Sequence, residues 1–472
     1  MARQTWSNRL TYILTVAGAT IGFGATWRFP YLVGENGGGA YVLVFIIVMM
    51  LVGIPIILVE NVIGRHAKKN SVDAYTLIVQ NATSHPFWKI FGYSGLIGAF
   101  GILAYYMVIG GWVISYVGHI FMGAVGIEGG LDLSSPVNRE LTESFFIDAI
   151  HNSPYEISIA TFLFVLCNYF ILRKGIISGI ERAVKYLMPL LFICLMLMVV
   201  RNLTLDGAME GVKFYLTPDF SKIVAFTDEG FYFNTKLFLD VLGQVFFALS
   251  LGFGVMITLS SHLSEKENLT KTAVITGIIN TVIAVLAGFM IFPSLFSAGL
   301  DPESGPSLVF KALPIAFAHM HFGNFFAIVF FLLLIIAALT TSLTIYQVII
   351  TVLYEKFRLK YDMAINITLG TIFVFGNIPC ILSMGPWADI SILGNNIFDA
   401  FDKLSGNIFF VITSLGATLF VGYVMRKIAL SEINNNASVF SKTSLLWFNY
   451  IRYVAPIIII VIFVYGFKGS FL

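Results

Sequence analysis

Long apolar runs are the feature that most constrains how this 472-residue chain can fold. A helix needs roughly 20 apolar residues to cross a bilayer core about 30 Å thick. Eleven runs come close to that length or exceed it, and only 11% of all residues are charged. The sequence therefore predicts an all-α, multi-pass membrane protein with eleven transmembrane helices. The runs cover residues 10–32, 40–64, 87–121, 155–172, 180–200, 238–261, 271–296, 323–354, 362–383, 391–425 and 446–467.

The positions of lysine and arginine predict the orientation of the chain, because cytoplasmic flanks hold the excess of these residues. With the N-terminus inside, most of the 28 lysines and arginines face the cytoplasm, and the acidic segment from His119 to Pro154 lies outside. The first run is too long for the core of a signal peptide, so we expect it to be retained. We expect a plasma membrane protein, as in a bacterial inner membrane, with its C-terminus outside.

Several classes of function find no support in the sequence. Cys167, Cys194 and Cys380 lie within apolar runs and imply no disulfide framework. The net charge of +2 gives no indication of nucleic-acid binding, because topology accounts for the basic residues. His319 and His321 form an isolated pair without a metal-binding or catalytic motif. We therefore do not expect an enzyme, and the sequence leaves open whether two copies form a homodimer.

A short repeat links the two halves of the chain. The tetrapeptides at 21–24 (IGFG) and 251–254 (LGFG) are nearly identical and lie in the first and sixth runs. Five spans per half would place the second repeat in the opposite orientation, which predicts an inverted repeat. The expected organisation is one transmembrane domain (1–472) made of a first five-helix repeat (10–200), a second repeat (238–425) and an eleventh helix (446–467).

Paired glycines inside a membrane helix favour a break in that helix. Each glycine costs about 1 kcal/mol relative to alanine in a helix interior. Unwound backbone is tolerated in a bilayer only where polar groups satisfy it. Carbonyls freed at a break can bind a cation, and amides at a half-helix N-terminus can bind an anion. The alternative is that the glycines only allow close helix packing. The matched pair favours a ligand site built from main chain.

Four longer motifs make the resemblance specific. The stretches "TWSNRLTYILTVAGATIGFGATWRFPYLVGENGGGAY", "GIPIILVENVIGR", "GQVFFALSLGFGVMIT" and "AALTTSLTIYQ" resemble the neurotransmitter:sodium symporter family, in particular its bacterial amino-acid branch. The resemblance extends from about Trp6 to Val464 and is similar to the leucine-transporter pattern. It implies the leucine-transporter fold and sodium-coupled import of a small solute by alternating access.

The resemblance implies one complete sodium site. Its positions here are the carbonyls of Gly18, Ile21 and Ala337 and the hydroxyls of Thr340 and Thr341. Two adjacent hydroxyls on an apolar helix supply the hard oxygen ligands that alkali cations prefer. The alternative is that these threonines bond to their own helix backbone.

A second sodium site and a chloride site found in relatives are degenerate in this sequence. The second-site positions are the carbonyl of Thr20, together with Ala25, Ala248 and Asn280, where side-chain oxygens are missing at both alanines. The chloride-site positions read Phe45, Gln244, Ala248 and Ala284. We therefore predict one sodium ion per transport cycle and no chloride.

The substrate pocket implied by the resemblance is apolar with a few hydroxyls. Because it contains no ionisable side chain, we expect a neutral or zwitterionic solute, such as an amino acid. In two-sodium relatives the substrate carboxylate ligates the second sodium, so an amine or a sulfonate remains an alternative substrate. The pocket positions are Ala19, Thr20, Phe23, Gly24, Ile102, Tyr106, Phe247, Ser250, Phe253, Thr341 and Ile345.

Gate positions also follow from the resemblance. An arginine inside a spanning run needs a partner, and Arg28 is expected to pair with Asp402, with Gln244 nearby. Tyr106 and Phe247 would form the lid between this gate and the substrate. On the inside, Arg3 would pair with Glu355 beside Trp6. Glu60 is a buried acid expected to bond the unwound first helix, and Gly179 with Pro189 would let the fifth helix unwind.

Two other mechanisms stay open at this point. A proton could replace sodium, with Glu60 as the candidate carrier deep in the core. A substrate-gated channel or a nutrient sensor would bind the solute without coupled flux. The presence of both gates favours alternating closure, so we expect a secondary active symporter.

Overall fold

The structure, a computed structural model, describes residues 5–76, 78–79, 82–227, 230–302, 308–434 and 441–471. The helices in these residues are α1 (Arg9–Thr20), α2 (Gly24–Glu35), α3 (Gly39–Ala67), α4 (Pro86–Ala124), α5 (Arg139–Phe146), α6 (Pro154–Leu172), α7 (Ile176–Leu203), α8 (Ala208–Leu216), α9 (Thr235–Ala248), α10 (Val255–Ser260), α11 (Leu269–Ser297), α12 (Leu308–Ala318), α13 (Gly323–Glu355), α14 (Tyr361–Leu382), α15 (Ile397–Tyr423), α16 (Arg426–Ile433) and α17 (Lys442–Lys468).

Three small antiparallel hairpins connect the helices. Their strands are β1 (Ile78–Val79) with β2 (Ala82–Thr83), β3 (Val224–Thr227) with β4 (Gly230–Phe233), and β5 (Ser391–Ile392) with β6 (Asn395–Asn396). A π-helical turn, Ile147–His151, follows α5, so the predicted outside segment between His119 and Pro154 contains helix as well as loop. These pieces were not predicted from the sequence, because short polar helices and strands of two to four residues carry little periodicity.

Nine helices in the described residues are long and apolar enough to cross a membrane. The pair α1 and α2 forms a tenth span, bent by 54° at a short break. The sixth apolar run is divided into α9 and α10, of 14 and 6 residues, and neither piece is long enough to cross alone. The multi-pass helical fold is confirmed, but the length criterion does not confirm the predicted count of eleven spans.

Wide π-helical turns recur in the spans, and proline explains where many of them occur. Proline lacks an amide hydrogen, and its ring clashes with the carbonyl four residues earlier. A π turn displaces that carbonyl by adding a residue to the turn. In each of the following cases the π turn ends two residues before a proline: Gly24–Arg28 before Pro30, Met49–Gly53 before Pro55, Leu308–Ala312 before Pro314, Phe373–Asn377 before Pro379, and Tyr450–Val454 before Pro456.

Helix packing places the two broken spans next to continuous ones. The helix α13 packs along α4 and also contacts α1 and α7, whereas α10 packs against α3. The helix α11 contacts α1, and its side chains reach the broken end of α9. Irregular backbone at both breaks is therefore enclosed by protein, as a bilayer environment requires.

A buried ion pair joins α3 to α16 on the side predicted to be cytoplasmic. Arg65 Nε donates to Glu432 Oε2 at 2.6 Å, and the Arg65 side chain is only 2% exposed. Arg65 also donates to the carbonyls of Glu432 and Glu267. Burial would raise the pKa of Glu432, but the hydrogen bond from His66 and the charge of Arg65 bring that pKa below its ordinary value of 4.5.

We expect Glu432→Gln to destabilise the fold by about 3 kcal/mol at pH 7, because it leaves the buried Arg65 charge without its partner. A carboxyl group with a lowered folded-state pKa contributes stability above the unfolded-state pKa, and loses it as the pH falls through the folded-state value. The thermal unfolding midpoints of wild type and variant should therefore begin to converge as the pH falls below 4.5. They should meet once the pH is below the lowered pKa of Glu432 in the folded state. The control is Glu265→Gln, because the exposed pair of Glu265 with Lys68 should contribute little. Equal midpoints for Glu432→Gln and wild type at pH 7 would contradict this account.

Candidate cation and solute site between two broken helices

The first span is interrupted just after Thr20. The helix α1 ends there, and Ile21 has φ −100° and ψ 65°, outside the helical region. The chain resumes as a π-helical turn at Gly24. Gly22 lies in the break at a crowded point, where a Cβ atom would overlap the Tyr106 hydroxyl. The break predicted from the glycine pair is confirmed.

The sixth span is interrupted between Ala248 and Val255. Three residues of this segment have positive φ: Ser250 at 51°, Gly252 at 78° and Gly254 at 74°. Glycine adopts this region without strain, whereas serine does so rarely. The two glycines of the second tetrapeptide therefore adopt the left-handed conformations that the break requires. A Cβ atom on Gly252 would also collide with the Phe410 carbonyl.

Three of the predicted sodium-site residues, Gly18, Thr340 and Thr341, lie close together where α13 passes the first span. Thr341 Oγ1 donates to the Gly18 carbonyl at 2.9 Å, which joins α13 to α1. The Thr340 hydroxyl donates to the carbonyls of Ile336 and Ala337 in its own helix, at 3.1 and 3.0 Å. A hydroxyl oxygen that donates its hydrogen still has lone pairs for a cation. Both the ion-site interpretation and the backbone-bonding alternative therefore describe part of this geometry.

Most of the predicted pocket residues line a small cavity of about 10 Å³. Two predicted members do not line it. Phe23 lies in the wall of the outer cavity, with its ring centroid 4.8 Å from that of Tyr106, and Ile345 is buried elsewhere in α13. Gly22 lines the cavity and was not predicted. The cavity is lined by Ala19, Thr20, Gly22, Gly24, Ile102, Tyr106, Phe247, Ser250, Phe253 and Thr341.

The polar groups facing this cavity bond to one another. The Phe23 amide donates to the Tyr106 hydroxyl at 3.3 Å, and Ser250 Oγ donates to the Ala19 carbonyl at 2.9 Å. The first contact offers an amide and a hydroxyl to an anionic group. The second offers a carbonyl and a hydroxyl to a cationic group. A zwitterion could replace both contacts with its own charged ends.

Two side-chain amides occupy the positions of the degenerate ion sites. Asn280 Nδ2 donates to the carbonyls of Thr20 and Ala248, at 3.0 and 3.1 Å. Gln244 Nε2 donates to the Gly24 carbonyl at 2.6 Å. The side chains of Ala25, Phe45, Ala248 and Ala284 are buried and apolar. The amide contacts join α9 and α11 to the broken first span.

The outer gate residues are separated in this structure. Arg28 and Asp402 both line an outer cavity of about 140 Å³, and these two described side chains do not form an ion pair. The Arg28 guanidinium instead lies over the Phe247 ring, 4.7 Å from its centroid. The closed Arg28 to Asp402 pair therefore stays a prediction for another conformation. Tyr106 and Phe247 line both cavities and lie between them, as predicted for a lid.

The inner gate can be described only in part. Arg3 lies outside the described residues, so its contact with Glu355 stays a prediction. Glu355 Oε2 accepts the Asn70 amide at 2.9 Å, which ties the end of α13 to the loop after α3. Trp6 Nε1 donates to the Leu259 carbonyl at 3.0 Å, at the inner end of the sixth span.

A charged cluster adjoins this inner region. Asp73 accepts from Lys356 at 3.2 Å and lies 3.4 Å from Lys89. Burial would raise the pKa of Asp73, but hydrogen bonds from Asn70 and Lys356 bring it below its ordinary value. Asp73 is therefore ionised at neutral pH and pairs with both lysines.

The remaining predicted positions are the buried acid Glu60 and the hinge residues Gly179 and Pro189. Glu60 Oε1 accepts the Gly252 amide at 2.7 Å. Its partner is therefore the break in the sixth span, whereas the sequence predicted a bond to the unwound first helix. Gly252 lies in the break between α9 and α10, where its amide has no helical acceptor, and Glu60 supplies one. Gly179 lies in the π-helical turn Ile176–Glu181, and Pro189 lies inside α7. The fifth span therefore contains a wide turn at the predicted hinge.

A multi-pass helical protein with two broken spans beside a small cavity has the architecture of a secondary transporter. The solved structure of MhsT in complex with L-phenylalanine matches with a TM-score of 0.84 and 34% identity, covering 99% of this chain and 100% of that one. This similarity confirms the leucine-transporter fold. A model of the Sodium:neurotransmitter symporter family matches residues 3–127 and 141–470. The chain belongs to this family.

Relatives in bacteria agree with this assignment. A sodium-dependent transporter of Haemophilus influenzae is 59% identical over 465 residues, which cover 98% of each chain. The sodium-dependent transporter YhdH of Bacillus subtilis is 33% identical, over 97% of this chain and 96% of its own length. The family and its sodium dependence follow for this chain, whereas the solute does not.

We expect Thr341→Val to raise the sodium concentration for half-maximal stabilisation by about 10-fold to 100-fold, because it removes one oxygen ligand of similar strength to a charged hydrogen bond. The measurement is the thermal unfolding midpoint of purified protein against sodium concentration, with potassium holding ionic strength constant. Thr344→Val is the matched control, since that hydroxyl donates to the Thr341 carbonyl within α13 at 2.8 Å. An unchanged sodium dependence in Thr341→Val would exclude the hydroxyl as a ligand.

Proposed function

We propose that this protein imports a small neutral or zwitterionic solute, most simply an amino acid, together with one sodium ion and without chloride. The observation that carries the proposal is the contact between Thr341 and the Gly18 carbonyl, where a continuous helix meets the broken one. Gly18, Ile21, Ala337, Thr340 and Thr341 are the proposed sodium ligands. Sodium is a co-substrate here, bound and released in every cycle.

The lining of the inner cavity supports an uncharged or zwitterionic substrate. Among the described residues that line it, none has an ionisable group other than the Tyr106 phenol. A free acid or base with net charge would lack a counter-charge, which is costly in a buried site. The related MhsT is described with bound L-phenylalanine. A cavity of about 10 Å³ has room for about one water molecule, so the side chains around it must move to admit any solute.

Alternating access follows from the two gates. In the proposed cycle, sodium and solute enter through the outer cavity, and Arg28 then moves from the Phe247 ring toward Asp402 to close it. The contacts of Trp6 and Glu355 then break on the inner side, and the π turn at Gly179 offers a place for the fifth span to unwind. One charge moving through 100 mV supplies about 2.3 kcal/mol, or roughly 50-fold accumulation. One sodium ion is therefore sufficient for scavenging.

The proposed location is a plasma membrane, as in a bacterial inner membrane. The N-terminus would be cytoplasmic and the C-terminus outside, since the basic flanks then lie in the cytoplasm. The buried Arg65 to Glu432 pair and the Asp73 cluster would both lie on the cytoplasmic side in this orientation.

We expect one amino acid to raise the thermal unfolding midpoint of the purified protein in sodium but not in potassium. The screen should include amines and sulfonates, because the missing second sodium leaves the carboxylate without its usual ion. Binding of an amine or a sulfonate alone would retain the sodium-coupled symporter and replace its substrate class. Stabilisation that is equal in sodium and in potassium would contradict sodium coupling.

We expect uptake of that ligand into proteoliposomes to rise with sodium concentration with a Hill coefficient of about 1, because one ion accompanies each solute. Replacing chloride by gluconate should leave the rate unchanged. A Hill coefficient near 2 or a loss of uptake without chloride would contradict the proposed stoichiometry. Uptake driven by a pH gradient in the absence of sodium would favour Glu60 as a proton carrier.

A further inference from the structure

A single buried side chain connects both helix breaks. Asn280 lies in the middle of α11 and has no exposed surface. Its Nδ2 atom donates to the Thr20 carbonyl at the end of α1 and to the Ala248 carbonyl at the end of α9. Both carbonyls come from the last residue before a break, where the next helical turn no longer supplies a donor.

Two converging carbonyl oxygens in a membrane interior require a positive partner. A bound cation is one solution, and a pair of amide hydrogens is another. An asparagine amide carries two hydrogens, and here each is directed to one of the two oxygens. The electrostatic requirement at this point is met by the chain itself.

We propose that the Asn280 amide permanently takes the place of the second cation and holds the two breaks together without an ion. This inference rests on the proposed function, since it concerns the same pair of broken spans. Asn280 is a positioning residue, because it acts through the main chain of Thr20 and Ala248. The first and sixth spans then stay joined when sodium is absent.

A cation fits this position poorly. Rotating the Asn280 amide would place Oδ1 near the two carbonyls, at the distances of 3.0 and 3.1 Å that Nδ2 now occupies. The protein would then offer those three oxygens only, because Ala25 and Ala248 have no side-chain oxygen. The site near Thr341 has five candidate oxygens, from Gly18, Ile21, Ala337, Thr340 and Thr341. The position near Thr341 therefore offers enough oxygen ligands for a sodium ion, whereas the position near Asn280 offers too few.

A neighbouring side-chain amide also donates to a main-chain carbonyl of the first span. Gln244 Nε2 donates to the Gly24 carbonyl at 2.6 Å, at the start of the second half of the first span. With that hydrogen used, the Gln244 amide is less available to an anion, which is consistent with the apolar residues at the other chloride positions. Side-chain amides thus serve the main chain of the first span on both sides of its break.

The proposal has a consequence for the substrate. Both hydrogens of the Asn280 amide are used, and its Oδ1 atom, which has no partner among the described residues, would repel a carboxylate. A carboxylate in the inner cavity would therefore bind the Phe23 amide and the Tyr106 hydroxyl, which now bond to each other. A substrate carboxylate would therefore bind without a second sodium ion as its ligand.

The test is the number of sodium ions that the purified full-length protein binds, measured with radioactive sodium at saturation. We expect one ion per chain in the wild type. Ala25→Asn combined with Ala248→Thr restores two side-chain oxygens, and the Asn280 amide can then rotate to present Oδ1. We expect this double variant to bind two ions per chain.

A matched control separates the ion from general packing. Asn377 is also fully buried and donates Nδ2 to two carbonyls, those of Leu103 and Ala104 at 2.9 and 2.7 Å, away from both breaks. Asn280→Ala and Asn377→Ala should both lower the thermal unfolding midpoint. Neither variant should change the number of sodium ions bound per chain, because the Asn280 amide and not an ion lies between the two carbonyls. Loss of one bound ion in Asn280→Ala but not in Asn377→Ala would contradict the inference.

The outcomes separate this inference from the proposed function. Two ions per chain in the wild type, with one lost in Asn280→Ala, would overturn the inference and leave sodium coupling intact. No saturable sodium binding in the wild type would overturn the proposed function itself. The wild-type stoichiometry decides between these results even if the double variant fails to fold.

Discussion

Backbone hydrogen bonding inside the bilayer is the constraint on which the rest of this structure depends. A continuous helix satisfies its own amides and carbonyls, so a break in a membrane span leaves groups that the surrounding protein must satisfy. This chain breaks two spans and encloses both breaks. The contacts that satisfy them are Thr341 to Gly18, Ser250 to Ala19, Asn280 to Thr20 and Ala248, Gln244 to Gly24, and Glu60 to Gly252. The proposed binding site is the part of this network that an ion and a solute would enter.

The sequence was sufficient to predict the breaks, since paired glycines are costly inside a helix and need a structural reason. Through the family resemblance, it was also sufficient to predict that Thr341 lies next to the first span. It failed for Glu60, whose partner is the Gly252 amide in the second break. It also missed Gly22, although close approach to the Tyr106 hydroxyl excludes a side chain there. Such contacts depend on how spans far apart in sequence are packed, and periodicity carries no information about that.

The outer gate residues adopt one arrangement in this structure, and their closed pair stays a prediction. Arg28 and Asp402 face each other across the outer cavity, and the cation–π contact with Phe247 gives the Arg28 charge a partner meanwhile. A gate must have two arrangements of similar free energy, so a residue pair inferred from sequence describes only one of them. The small inner cavity and the larger outer cavity suit a conformation in which the lid formed by Tyr106 and Phe247 is in place.

The most direct measurement is an experimental density map of the protein in sodium, at a resolution that shows bound ions. The account predicts interrupted first and sixth spans, with ion density among Gly18, Ile21 and Thr341. It predicts continuous side-chain density from Asn280 to the Thr20 and Ala248 carbonyls, with no ion between them. Unbroken helices through Gly22 and Gly252 would contradict the whole account, because no main-chain groups would then be free to bind the ion or the solute.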